Sequence, residues 1–122
     1  MADLVRDLAA YARGRRPGFL VVANNGGLLA ARSADARRSL DAVVQESLTF
    51  GGRAGAAWED GDAGGLAPDV SLETREALAT LGLPVFTLDY AVLEEDARTA
   101  RAASLARGFV PFVSRTPLDR LP

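Results

Sequence analysis

The sequence contains no cysteine, no histidine and no lysine. Each absence removes a class of chemistry. Without cysteine there is no thiol nucleophile and no disulfide, and cysteine usage says nothing of the redox compartment. Without histidine, histidine-based triads and the usual zinc ligand sets are excluded. Without lysine there is no Schiff-base or P-loop lysine. All 14 basic residues are arginine, which reads as coding bias toward GC-rich codons. Catalysis without a cofactor then rests on carboxylates, hydroxyls, tyrosine or arginine. Long apolar runs are also lacking: none approaches the ~20 residues of a membrane span. The start, Met1-Ala2-Asp3-Leu4, has neither a basic n-region nor an apolar h-region, so the expected location is the cytoplasm, with no membrane partner. A net charge of -2 offers no broad attraction for nucleic acid.

What is present is ordinary globular material, 48% hydrophobic and 25% charged. The length of 122 residues fits one domain. Four short apolar runs stand out, and each ends in polar residues: Phe19–Ala23 before Asn24 and Asn25, Ala42–Val44 before Gln45 and Glu46, Val85–Leu88 before Asp89 and Tyr90, and Phe109–Val113 before Ser114. Helix-like or loop sequence separates them, so they read as parallel strands joined by crossovers. Strands are expected over about Gly18–Ala23, Asp41–Glu46, Val85–Leu88 and from Phe109.

Helical spacing over Asp3–Arg13 puts Leu4, Leu8 and Tyr11 with Ala12 on one face, with Gly14 as the C′ residue. A short helix or helical turn is expected over Leu28–Arg38. Ser71 caps a helix to about Leu81, and a further helix runs from about Leu93 to Arg107. The fold class is therefore α/β, with four parallel strands alternating with helices. Residues 50–68 differ, with six glycines among Trp58, Glu59, Asp60 and Asp62. Such a stretch forms neither helix nor strand and reads equally as a loop over a site or as a solvent loop.

In parallel α/β sheets the carboxyl ends of the strands make the ligand site. The runs thus align an amide pair, Glu46, Asp89 and Ser114 on one rim. Other motifs are absent. Asn24–Gly27 lacks the ending of a phosphate loop, and Asp35, Asp41, Asp60 and Asp62 lack calcium-loop spacing. Ser114 has no histidine or lysine base, which argues against a serine nucleophile.

Four segments, Phe19–Gly26, Leu40–Ser47, Gly82–Tyr90 and Ala106–Ser114, together with Pro117–Leu121, carry a family resemblance. The chain resembles the C-terminal half of the endo-α-1,4-polygalactosaminidase-like glycoside hydrolases, which are TIM barrels. Gly82-Leu83-Pro84-Val85 leading to Asp89-Tyr90, followed by Gly108-Phe109-Val110-Pro111, is the most distinctive combination. Where the family commonly reads Pro-Gln-Asn, this chain has Ala23-Asn24-Asn25, which keeps Asn25. The resemblance implies a single half-barrel domain and places one proposed catalytic carboxylate at Glu46. The other, an aspartate on the strand preceding this half, would lie upstream of Met1.

The expected function is hydrolysis of a galactosamine-containing polysaccharide by carboxylate acid/base chemistry, without cofactor or metal, in a half that carries one of the two proposed catalytic carboxylates, with activity of the half alone left open. The alternatives are a non-catalytic half-barrel for assembly or carbohydrate binding, and a truncated gene product. Without the resemblance, Glu46 reads more simply as a capping or loop-bonding glutamate. Asp89 would bind sugar hydroxyls, orient Glu46 or stand in for the absent carboxylate; N-capping of the next helix explains it equally. Tyr90 would stack on or bond to a sugar, or line the rim. Asn25 would bond to hydroxyls, or form the turn before Gly26 and Gly27. Trp58 would stack on a sugar or pin its loop. Four parallel strands with open edges also predict pairing, with a second copy or with an N-terminal half-barrel. Relatives in the resembled family are often exported.

Overall fold

Four polar-ended apolar runs separated by helical sequence call for a parallel sheet, and that is the architecture. The computed structural model describes residues 1–52, 70–115 and 118. Trp58, the glycine-rich stretch beyond Gly52 and most of the closing segment Thr116–Pro122 lie outside the described residues.

The order of elements is α1 (Ala2–Arg15), β1 (Val22–Asn24), α2 (Gly27–Arg32), α3 (Ala34–Ser39), β2 (Ala42–Glu46), α4 (Leu72–Ala79), β3 (Val85–Tyr90), α5 (Glu94–Leu105) and β4 (Val110–Ser114). The strands form one open parallel sheet in the order β1-β2-β3-β4. Four parallel strands alternating with helices in this way form the arrangement of a half-barrel. Among the described residues, no helix is long and apolar enough to cross a membrane.

Several boundaries differ from the sequence expectation for physical reasons. β1 starts at Val22, not Gly18, because the Val21 N–H donates to the Asp41 carboxylate at 2.7 Å instead of to a strand. Arg13 holds the same Asp41 oxygen at 2.8 Å, so α1 is tied to the start of β2. α1 itself runs through Gly14 to Arg15, so Gly14 is interior and not the C′ residue. The Leu28–Arg38 stretch is two short helices broken at Ser33, whose Oγ accepts from the Ala36 N–H. α4 and α5 stop short of their expected ends, at Ala79 and Leu105. β3 extends past Leu88 through Asp89 and Tyr90, because Ser114 of β4 continues the ladder opposite Tyr90.

The core lies on the helix side of the sheet. Leu40, Val43, Leu48, Leu78, Leu81, Val85 and Phe109 form its main cluster, and Phe50, Ala91, Ala97, Ala100 and Val113 a second under α5. Strand alternation sends Val43, Val85, Thr87, Asp89 and Val113 to that side. Thr87 confirms the direction, since its hydroxyl bonds to Ser104 of α5 at 2.8 Å.

The other face is uncovered. Val22, Phe86, Val110 and Phe112 on it are exposed. α1 is also incompletely covered. It packs on α3, but only Ala9 is buried, and the face of Leu4, Leu8 and Tyr11 is exposed.

Candidate functional site

Register builds the site. Asn24 pairs with Val44, Glu46 with Leu88 and Tyr90 with Ser114. Residues paired in a parallel ladder share a face, as do residues two apart on a strand. Asn24, Glu46, Tyr90 and Ser114 therefore end the same uncovered face whose lower part is Val22, Val44, Phe86, Leu88, Val110 and Phe112. The result is an apolar floor with a polar rim at the carboxyl ends of the strands.

Glu46 is the centre of the rim. Asn24 Nδ2 donates to its Oε1 at 2.6 Å, and the Tyr90 hydroxyl donates to its Oε2 at 2.8 Å. Three strands thus hold one carboxylate, each of whose oxygens accepts a bond. Partial burial, then the bond to Glu46 and its charge, raise the Tyr90 phenol above its ordinary pKa. The phenol therefore stays a donor through neutral and moderately alkaline pH.

The backbone around Glu46 is also fixed. Asn25 takes a left-handed conformation (φ 54°) at the end of β1, and its Oδ1 accepts from the Glu46 N–H and from Gln45 Nε2, both at 2.9 Å. Asparagine tolerates this conformation better than most residues. Asn25 positions Glu46, while its neighbour Asn24 touches the carboxylate. The resemblance drawn from the sequence points to Asn25, but strand alternation from Val22 assigns the open face to Asn24.

Behind Glu46 the chain turns at Ser47 (φ 55°) and is held from both sides. The Ser47 N–H donates to the Leu88 carbonyl at 2.8 Å. Arg75 Nη2 donates to the Leu48 carbonyl at 2.7 Å. Asp89 Oδ1 accepts from the Thr49 N–H at 2.6 Å and from the Phe50 N–H at 3.0 Å.

Asp89 therefore differs from Glu46 in kind. It is 0% exposed, on the helix side of the sheet, and Oδ2 has no hydrogen-bond partner. Burial pushes its pKa above the usual carboxylate value, against the backbone N–H groups of Thr49, Phe50 and Leu48 and the positive Arg75. A carboxylate in this place has no surface for a sugar and faces away from Glu46. It orders the turn after Glu46, and it does not cap α5, whose N-cap is Leu93.

Ser114 ends the β4 register but adds no accessible group to the rim. It is buried and its Oγ has no partner; it borders a cavity of about 260 Å³ with Ala91, Glu94 and Arg101. Among the described residues, no cluster of three or more acidic side chains could hold a metal ion. Arg75 and Gln45 are positioning residues that sequence pattern does not single out, because their partners are main-chain or amide groups brought close only by folding. Trp58, expected to contact a sugar, lies outside the described residues. No protein-family model, no curated protein and no solved structure matches the chain.

Proposed function

We propose that this chain is a glycoside-hydrolase-like half-barrel acting on a galactosamine-containing polysaccharide, with Glu46 as the acid/base carboxylate. The observation that supports this reading is the Glu46 carboxylate itself. It stands at a strand's carboxyl end, on the open face, with Asn24 and Tyr90 bonded to its two oxygens. Glycoside hydrolysis uses one carboxyl group to protonate the leaving oxygen while another activates water or attacks the sugar carbon. Glu46 would supply the first role, as an acid when protonated and as a base when ionised. Tyr90 and Asn24 would hold it in one orientation and share their donor hydrogens with sugar oxygens. A ring would lie against the apolar floor through its carbon face.

Release of reducing ends from galactosaminogalactan tests the reading. Glu46→Gln keeps the size and the bond acceptor but cannot transfer a proton. A rate loss of about 10²–10⁴-fold with an unchanged circular dichroism spectrum is the expected result. No release by the purified protein, or by a version extended by any upstream in-frame segment, rejects the activity.

A second reading rests on the uncovered face. The same surface suits a half-barrel that assembles, with itself or with an N-terminal half, or that binds carbohydrate without cleaving it.

A further inference from the structure

Three features of the structure are unfinished, and they lie on different sides of it. The sheet's inner face is apolar and uncovered. Among the described residues the sheet has two free edges, β1 and β4, and all its strands run the same way. On the helix side, at the β1 end, α1 leaves Leu4, Leu8 and Tyr11 exposed, with the Tyr11 ring covered in part by the Arg15 guanidinium 5.0 Å from its centroid. A partner laid flat on the sheet face would cover the first and leave the third. A partner placed beside the β1 edge, with its own helix layer continuing past α1, covers all three.

The geometry points to a second copy of this chain as that partner. A twofold axis along the strands sets β4 of one copy beside β1 of the other, twice and in parallel. Four strands and four make the eight at which a parallel α/β sheet closes into a packed barrel. The contact is isologous and leaves no edge free. Main-chain groups support the fit. Val22 and Asn24 of β1 point away from β2, because Val21 and Asn25 make the bonds to Asp41 and Val44. Ser114 bonds through its carbonyl to Ala91, so Val113 on β4 points to the free edge. Pro111 faces that edge too and lacks a donor there, so side-chain packing carries much of the association.

The packing is sufficient in size. Val22, Phe86, Val110, Phe112, Leu4, Leu8 and Tyr11 are each between 41 and 63% exposed. Together they hold on the order of 600 Å² per copy, against roughly 800 Å² per partner in a standard interface, before the edges are counted.

Closure has a chemical consequence. Each copy brings Glu46 to the same end of the barrel, on strands opposite one another across one mouth. A site with one carboxylate becomes a site with two, the number glycoside hydrolysis needs. One copy's Glu46 would protonate the leaving oxygen and the partner's would activate water or attack, with the proton from water returning to the carboxylate. This catalytic part rests on the function proposed above; the pairing does not.

Three measurements test it. Sedimentation of the full chain should give twice 12.8 kDa. Phe112→Asp and Leu8→Asp change side chains exposed in the single copy, so they should keep its helical spectrum and each give a monomer. A monomeric wild-type chain, or a dimer that survives Leu8→Asp, overturns edge-to-edge closure. Glu46→Cys, in a chain with no other cysteine, should link two copies through a short bifunctional maleimide; a dimer that does not link overturns the shared mouth. Finally, unfolding and refolding wild type with an equal amount of Glu46→Gln leaves about a quarter of pairs with both glutamates, so activity per total protein should fall to roughly a quarter, rather than half, of that of wild type alone. Retention of half means that each copy works alone. A wild-type protein that sediments as a dimer, and whose Glu46→Cys variant links, but that itself releases no sugar sinks the hydrolase reading and leaves the pairing standing.

Discussion

Replacing Asp89 separates what its shape does from what its charge does. In Asp89→Ala the N–H groups of Thr49 and Phe50 lose their acceptor in a site with no solvent access. Leaving a buried donor unpaired costs about 1–3 kcal/mol. Two such donors, offset in part by removing the unpaired Oδ2, give a destabilisation of about 2–4 kcal/mol. For a two-state chain of this length that is a fall of about 8–16 °C in Tm. Asp89→Asn keeps the Oδ1 acceptor and discards the charge, so it should stay within about 1 kcal/mol of wild type.

The two variants also differ in pH dependence. Burial raises the Asp89 pKa. A raised carboxyl contributes fully below its unfolded value of about 3.9 and loses that contribution as pH rises through the folded value. Asp89→Asn has no such loss, so its stability relative to wild type should improve between acid and neutral pH. Urea unfolding followed by circular dichroism at pH 4 and pH 7.5 measures both effects, and amide exchange at Thr49 and Phe50 localises them. An Asp89→Ala protein as stable as wild type would refute the clamp. So would an Asp89→Asn protein damaged as severely as Asp89→Ala.

Other outcomes follow from the same geometry. Tyr90→Phe removes one bond to Glu46, worth about 1 kcal/mol of stability, and should lower sugar release more than substrate binding. Because the phenol pKa is raised, its contribution is complete below the unfolded value of about pH 10 and is lost above it, so the wild-type-to-Phe difference in unfolding free energy should shrink only in strong alkali. Asn25→Ala loses two bonds and places alanine at φ 54°, for about 2–3 kcal/mol in denaturant unfolding, whereas Asn25→Gly relieves the backbone and should cost less. A Cβ at Gly26 would lie 2.6 Å from the Ala23 Cβ, so Gly26→Ala should cost about 1–3 kcal/mol; Gly14→Ala, in the last turn of α1 with nothing within 4 Å, should gain about 0.5 kcal/mol in thermal unfolding.

Much of this molecule is local information. The four apolar runs and the turn residues between them specify strands and helices within a few residues, because period and capping act over single turns of chain. The parallel arrangement follows as well, since helical crossovers between short strands allow little else. Glu46, Asn25, Asp89 and Tyr90 are all legible as strand-end residues for the same reason. Their separate tasks are not. Alternation along β3 puts Asp89 and Tyr90 on opposite faces, but which face meets helices and which stays open depends on where α5 packs.

Asn24 shows the same limit. It becomes the partner of Glu46 only when β1 and β2 lie side by side, 22 residues apart in sequence. The stripe on α1 reads as an ordinary buried face by its spacing, and it is exposed because, among the described residues, no strand lies beyond β1. Strand and helix identity come from propensity and periodicity, which neighbouring residues carry. Burial, bond partners and uncovered surface come from which distant segments meet, and only the folded sheet decides that.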